Sequence, residues 1–167
     1  MDEGDPPDII LLRPATKADA EVLGRYGSLL VALHHGFDPK RFIEVTEMTP
    51  PRYASYLAGQ IGRDDVIVLV AELNGVVRGY LYGAVEGPDY MALRGPAGCL
   101  YDLFVDPAFR SNGIGSRLFD AGVVALNQRG CVRIVLSTAH GNESAQRFFT
   151  ARGFRPTMLE MTKEMVS

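Results

Sequence analysis

The stretch "RSNGIGS", residues 110–116, places two glycines between an apolar run and a pattern typical of a helix. The first turn of a helix has unpaired N–H groups and a partial positive charge, so it can bind an anion. Gly113 and Gly115 lack a Cβ and permit a positive φ, so a phosphate could approach the bare backbone. The same glycines also suit a tight turn without a ligand, and the segment alone leaves both interpretations open.

Two familiar phosphate-binding motifs do not fit this segment. The dinucleotide pattern G-x-G-x-x-G requires a third glycine where the chain has Leu118. A P-loop requires Gly-Lys-Ser/Thr after a four-residue gap, and the sequence contains no such end. A metal site is not expected either, because Cys99 and Cys131 lack the paired spacing that zinc binding needs.

The elements that must position these glycines follow from the apolar periodicity of the chain. The Asn74-Gly75 pair predicts a β-hairpin between two apolar runs. Thr16 is expected to cap the first helix, and residues 34–48 to be irregular or weakly helical. We predict strands at 9–13, 66–73, 76–86, 99–105, 132–137 and 155–163, and helices after Thr16, after Pro51 and at 114–128 and 142–152. This order indicates a mixed α/β (α+β) fold in which helices cover both faces of a mixed sheet.

The composition is that of an ordinary globular protein. The chain has 167 residues, of which 47% are hydrophobic and 22% charged, with a formal net charge of −3. We therefore expect a flexible tail at 1–8, a single domain at 9–167, no nucleic-acid partner and no membrane association. The acidic start is not a signal peptide, which favours a cytoplasmic location.

A resemblance to a known family favours the phosphate-binding interpretation of the glycine segment. "VDPAFRSNGIGSRL" resembles the pyrophosphate-binding stretch of the GNAT superfamily of N-acetyltransferases, with Arg110, Gly113 and Gly115 behind Val105 and Pro107. "NESAQRFFTARGF" is similar to a second family motif through Asn142, Ala145, Phe148, Gly153 and Phe154. The resemblance implies the three-layer fold of that family, in which two parallel strands splay apart, and acetyl-CoA as co-substrate.

Carried over position by position, the resemblance implies a set of cofactor contacts. Backbone groups of Leu103, Phe104 and Val105 would pair with the pantetheine arm like an added strand. Asn142 would lie beside the arm, although a plain N-cap on the following helix is an equal alternative. The pyrophosphate site would be formed by Arg110, Ser111, Asn112, Gly113, Ile114, Gly115 and Ser116.

The catalytic positions depart from the family pattern in two places. Phe149, itself expected to contact the cofactor, stands where the family's tyrosine usually protonates the departing thiolate. Ser137 stands where ribosomal-protein alanine acetyltransferases have a glutamate base, so this chain differs from that enzyme. The resemblance makes Asp102 the expected base, because an aspartate inside "CLYDLFV" is otherwise costly to bury, and Tyr101 a possible proton donor.

The sequence therefore predicts an acetyl-CoA-dependent N-acetyltransferase that acts on a primary amine of a small molecule or peptide. The alternative is a catalytically weak or silent acyl-CoA-binding module, which the departures at Phe149 and Ser137 favour. A plain nucleotide-binding protein is a further alternative. A homodimer is compatible with the family, and His34-His35 is a candidate acceptor contact.

Overall fold

The protein is described from a computed structural model covering residues 9–165. The predicted flexible tail at 1–8 lies outside the described residues. The strands are β1 (Ile10–Pro14), β2 (Val66–Leu73), β3 (Val76–Glu86), β4 (Ala97–Val105) and β5 (Ile134–Leu136). The helices are α1 (Ala20–Phe37), α2 (Thr49–Gln60), α3 (Ile114–Gln128) and α4 (Glu143–Thr150), with short 3-10 turns at Lys17–Asp19 and Pro107–Phe109.

The sheet is mixed, as the sequence predicts. Within the described residues its order is β1-β2-β3-β4-β5, with antiparallel pairing from β1 to β4 and parallel pairing of β4 with β5. The predicted hairpin between β2 and β3 is confirmed: Asn74 has a φ of 52° and Gly75 a φ of 79°. Two consecutive left-handed residues give the turn whose twist matches a two-residue β-hairpin.

Helices cover both faces of the sheet, which confirms the three-layer architecture. On one face, α1 and α2 pack Leu23, Tyr26 and Leu57 against Tyr80 and Val70. The opposite face is covered mainly by α3, and the residues in this second cluster include Leu81, Ile114, Leu118, Phe119 and Leu126. A helix that presents apolar residues every three or four positions to a sheet buries one stripe in this way. Across residues 9–165, no helix combines the length and apolarity needed to cross a membrane.

One predicted strand is absent, and several predicted boundaries are shifted, among them the start of α2, which lies at Thr49 and not after Pro51. Residues 155–163 form no strand: Leu159 and Met161 are 79% and 90% exposed, and no described strand forms a ladder with this segment. Alternating apolar residues make a strand only where a ladder partner and a buried face are both available. Helix α1 continues through His34 to Phe37, and β5 is shorter than the predicted 132–137.

A charged cluster ties β1 and β2 to the start of α1. Arg13 donates to both carboxylate oxygens of Asp19, at 2.8 and 2.9 Å, and to Glu72 at 2.6 Å. Asp19 also accepts the N–H of Thr16 at 2.7 Å, so the predicted cap residue is itself held by the 3-10 turn that precedes α1. The guanidinium lowers the pKa of the nearly buried Asp19 to about 2.

Candidate functional site

Strands β4 and β5 separate at one end of the sheet. Their parallel ladder joins Gly98 to Ile134, Cys99 to Val135 and Leu100 to Leu136, and it extends no further in the described chain. Strand β4 nevertheless continues to Val105, and in this part of β4 the strand that pairs with it within residues 9–165 is β3, on its other side. The β5 side of Leu103, Phe104 and Val105 therefore has no strand partner among the described residues and lies at the mouth of a wedge.

The glycine loop lies at the same end of β4. Gly113 is the N-cap of α3 in the left-handed conformation, with φ 78° and ψ 1°, and a Cβ built there would meet nothing within 4 Å. A Cβ at Gly115 would touch Val105 Cγ2 at 3.5 Å, so the first turn of α3 rests on the end of β4. The loop thus presents open backbone and the positive end of a 15-residue helix beside the wedge.

The side chains of this loop are largely engaged elsewhere. Arg110 Nε donates to the carbonyl oxygen of Val105 at 3.1 Å. The Ser116 hydroxyl accepts from Arg152 at 2.7 Å, and Ile114 is buried in the core. What the loop offers to an anion is therefore chiefly its backbone N–H groups.

The second motif forms α4, which follows β5 in the chain. Asn142 Oδ1 accepts the N–H of Ala145 at 3.1 Å, so Asn142 is an N-cap of α4, the alternative that the sequence left open. The Phe149 ring packs among Phe119, Phe148 and Phe154, with centroid distances of 5.9, 5.2 and 5.7 Å. Its position therefore carries an aromatic surface without a hydroxyl.

Thr138 lies two residues beyond the end of β5. Its hydroxyl oxygen is buried and has no hydrogen-bond partner among the described residues. Buried polar groups in folded proteins are almost always bonded. An unpartnered hydroxyl after the last paired residue of β5 fits a site that a polar ligand completes.

A β-bulge places two residues of β4 on the face covered by α1 and α2. In the ladder with β3, Tyr82 pairs with Asp102 while Gly83 pairs with Leu100, so Tyr101 is the extra residue. The Tyr101 ring lies 5.0 Å from that of Tyr82. Bulges of this kind re-aim side chains beside functional sites, and this one begins directly after the last residue that β4 pairs with β5.

The carboxyl group of Asp102 is held by two tyrosines from different elements. Tyr53 of α2 donates to its Oδ2 at 2.6 Å, and Tyr80 of β3 donates to the same oxygen at 2.9 Å. Burial raises the pKa of Asp102, which the two hydrogen bonds and the nearby His34 lower in part. A carboxylate with a raised pKa accepts a proton more readily than an exposed one, and it also attracts a cation.

A pocket of about 210 Å³ opens beside this carboxyl group. Its polar lining consists of His34, Tyr53, Tyr101 and Asp102, and its apolar lining of Leu30, Val31, Phe42 and Ile43. His34 Nδ1 lies 2.8 Å from the carbonyl oxygen of Leu30. Since a carbonyl only accepts, Nδ1 carries the hydrogen, and in the neutral ring Nε2 is left as an acceptor.

Several residues that the sequence singled out thus occur at one end of the sheet. Asp102 and Tyr101 line the pocket, the Gly113 loop lies at the end of β4, and Asn142 caps α4, the helix that contains Phe149. Sequence reasoning missed Tyr53 and Tyr80, which hold the carboxylate. Their only signal is a tyrosine on the apolar face of a predicted helix and another within a strand, a pattern that ordinary core residues share.

The chain is similar to known proteins in both sequence and fold. Residues 31–154 match the Acetyltransferase (GNAT) family. The YhfO protein of Bacillus subtilis (strain 168), an uncharacterized N-acetyltransferase, is 28% identical over 102 residues. That alignment spans 60% of this chain and 66% of the relative, just under two thirds of its length.

Solved structures share the fold. A mutant of the BH1408 protein of Bacillus halodurans superimposes with a TM-score of 0.80 at 21% identity, covering 93% of this chain and 99% of that one. A predicted acetyltransferase from Clostridium acetobutylicum, solved with acetyl-CoA, gives 0.69 at 19% identity, covering 92% and 96%. The family match includes the glycine loop, the bulged strand and α4, and the chain belongs to the GNAT family of acetyltransferases, whose co-substrate is acetyl-CoA.

Proposed function

We propose that this protein transfers the acetyl group of acetyl-CoA to a primary amine. The observation that carries the proposal is the position of Asp102: it lies two residues beyond Leu100, where the ladder between β4 and β5 ends. A desolvated carboxyl group is thereby held beside the open strand edge and on the same end of the sheet as the helix N-terminus. An amine site and a thioester site would meet at this point.

The proposed cofactor site uses backbone rather than side chains. The unpaired edge of Leu103, Phe104 and Val105 would bond the pantetheine amides, and the N–H groups of residues 111–116 would hold the pyrophosphate. The open space at Gly113 and the unpartnered hydroxyl of Thr138 both support a ligand in the wedge. Arg110 would release the carbonyl oxygen of Val105 to reach a phosphate, since its guanidinium is exposed.

Acetyl-CoA supplies an activated thioester carbonyl. The amine reaches the site as an ammonium ion, and Asp102, directly or through water, removes one proton from it. The nitrogen lone pair then forms the C–N bond, and the C–S bond breaks as its electron pair passes to sulfur. The nitrogen's remaining extra proton leaves to solvent, and the thiolate takes a proton from Tyr101 or water.

The absence of a hydroxyl group at Phe149 should reduce the reaction rate only moderately. General acid catalysis contributes a factor of about 10² to 10⁴, and a thiol with a pKa near ~8.5 is already a moderate leaving group. Loss of the family's tyrosine should therefore cost a factor near the lower end of that range.

We also propose a reducing, cytoplasmic setting for this enzyme. Cys99 and Cys131 are both buried and are free thiols, and burial raises the pKa of Cys99 to about 11, which keeps it protonated and unreactive. Free thiols are usual where glutathione and thioredoxin keep proteins reduced.

The second candidate, favoured by Phe149, is an acyl-CoA-binding module without turnover. Two measurements on the full chain distinguish them: calorimetric titration with acetyl-CoA and with ATP, and release of free thiol from acetyl-CoA in the presence of pooled primary amines. The enzyme requires binding selective for acetyl-CoA and thiol release that depends on an amine. Selective binding with no amine-dependent release would support the silent module, and equal affinity for ATP would refute the cofactor site.

A further inference from the structure

We propose that the acceptor is a compact primary monoamine whose nitrogen is attached to an apolar or aromatic body. The inference rests on the proposed function, since it identifies the pocket beside Asp102 as the amine site. It narrows an acceptor class that otherwise includes polyamines, aminoglycosides and amino acids. The pocket of about 210 Å³ provides its evidence, in charge, wall chemistry and size.

The charge in the pocket suits one ammonium group. Asp102 is the acidic residue among the eight that line it, and Tyr53 and Tyr80 already donate to its Oδ2. Within residues 9–165 both side-chain donors to this carboxylate bind Oδ2, so Oδ1 is the oxygen that an ammonium group would reach. Tyr53 and Tyr101 also line the pocket, and aromatic side chains in a binding site favour a cation.

The remaining wall is apolar. Leu30, Val31, Phe42 and Ile43 form it, and no lysine or arginine is among the lining residues. A second ammonium group on the acceptor would lose its hydration against this wall without gaining a carboxylate. An acceptor carboxylate would likewise find no lysine or arginine here and would lie close to Asp102.

The dimensions favour a small acceptor. Pockets for drug-sized ligands usually measure about 300–1,000 Å³, so 210 Å³ holds a single ring or a short alkyl chain. The walls come from α1, the segment after it and α2, with the bulge of β4 as the floor. The reacting nitrogen would thus lie deep, at Asp102, with the apolar body towards Ile43, which is 73% exposed at the rim.

Matched acceptors test each part of this inference. In the thiol-release assay, kcat/KM for 2-phenylethylamine should exceed that for L-phenylalanine, which adds only a carboxylate, by at least about tenfold. Butylamine should likewise exceed 1,4-diaminobutane, which adds only a second ammonium group, by at least about tenfold. Kanamycin should be acetylated more slowly than either monoamine.

A variant at the rim of the pocket tests the effect of charge on the choice of acceptor. Ile43→Glu changes a mostly exposed side chain, so folding should be unaffected, and it should raise kcat/KM for 1,4-diaminobutane relative to butylamine by at least about fivefold. Ile43→Gln is the matched control, similar in size without the charge, and should leave that ratio unchanged. Equal ratios in the two variants would overturn the placement of the apolar body against Ile43.

Failure of this inference is distinguishable from failure of the proposed function. Thiol release that is fastest with the diamine, the amino acid or kanamycin would overturn the monoamine class and leave the acetyltransferase intact. Calorimetric titration of the CoA-loaded protein with 2-phenylethylamine measures the affinity of the pocket for the amine without acetyl transfer. Binding that prefers the monoamine without any thiol release would sustain the ligand class and refute the enzyme; no preference in either assay would refute the ligand class.

Discussion

Replacing Asp102 by asparagine should abolish most of the activity without destabilising the protein. The substitution keeps the shape of the side chain and an acceptor oxygen for Tyr53 and Tyr80. If the carboxylate removes the ammonium proton, its loss should lower kcat/KM by a factor of about 10² to 10⁴, equivalent to roughly 3 to 5 kcal/mol of barrier. The thiol-release assay measures this with any amine that the wild-type protein accepts.

The stability change follows from two opposing effects. A hydrogen bond to a charged acceptor contributes about 1.5–3 kcal/mol, against about 0.5–1.5 for a neutral one, so the two tyrosine bonds together weaken by about 2 kcal/mol. Because the variant no longer buries a charge, folding no longer includes the free-energy cost of desolvating that charge, and this stabilises the variant. Because burial outweighs the hydrogen bonds and raises the pKa of Asp102, the variant at pH 7 should be at least as stable as wild type.

The pH dependence of stability has a defined sign. A folded-state pKa above the ordinary 3.8 means that the folded protein binds the Asp102 proton more tightly than the unfolded chain. Wild-type stability should therefore fall as pH rises from about 3.8 through the raised pKa, and Asp102→Asn should lack this decline. Urea unfolding at several pH values between 4 and 8 measures the difference.

A variant of Tyr80, which holds Asp102, tests whether Asp102 acts as a base or has only a structural role. Tyr80→Phe removes a hydrogen bond that lowers the pKa of Asp102, so that pKa should rise further. Activity that requires the deprotonated base increases with pH, and its rising limb should move to higher pH in this variant. Unchanged activity in Asp102→Asn, or a loss of more than about 2 kcal/mol in its unfolding free energy, would refute the reasoning.

The remaining predictions concern the acid position, the glycine loop and the charged cluster. Phe149→Tyr should leave acetyl-CoA affinity unchanged in calorimetry and raise kcat if protonation of the thiolate limits turnover; an unchanged kcat would discount that role. Gly113→Val should abolish measurable acetyl-CoA binding and cost about 1–2 kcal/mol of stability, because φ is 78° there, whereas the helical Gly115→Ala should preserve stability in a thermal melt. Arg13→Met should destabilise the fold by about 2–4 kcal/mol, because it leaves the buried carboxylate of Asp19 without its cationic partner. In wild type, the contribution of Asp19 is complete above about pH 3.8 and lost as pH falls towards 2, which acid unfolding monitored by circular dichroism would follow.

Local patterns were sufficient for much of the fold. The Asn74-Gly75 turn needs only two residues that accept a positive φ, and the predicted helix at 114–128 matches α3 because its apolar stripe repeats over four turns. The strand predicted at 155–163 fails because its alternation carries no information about a partner. Glu160 instead forms an ion pair with Arg41, which joins this segment to the connection between α1 and α2.

The sequence predicted the cofactor part of the candidate site but not the acceptor pocket. The glycine loop and its partner motif are contiguous, so their residues could be named in order. The acceptor pocket is assembled from His34, Tyr53 and Asp102, which lie on different elements and meet only after the helices pack on the sheet. The hydrogen bonds to Asp102 span 49 and 22 positions in the chain, and no local spacing encodes them.

The open edge of β4 has a consequence for the protein before it meets its co-substrate. Unpaired N–H and C=O groups along a strand are a template for other chains, and proteins usually cover or shorten such edges. Here the edge is set back in a wedge between β4 and the chain that follows β5, which a slender extended molecule can enter more readily than a second sheet. Saturating acetyl-CoA should therefore protect the protein against aggregation as well as raise its melting temperature, and preparations stripped of it should lose solubility first.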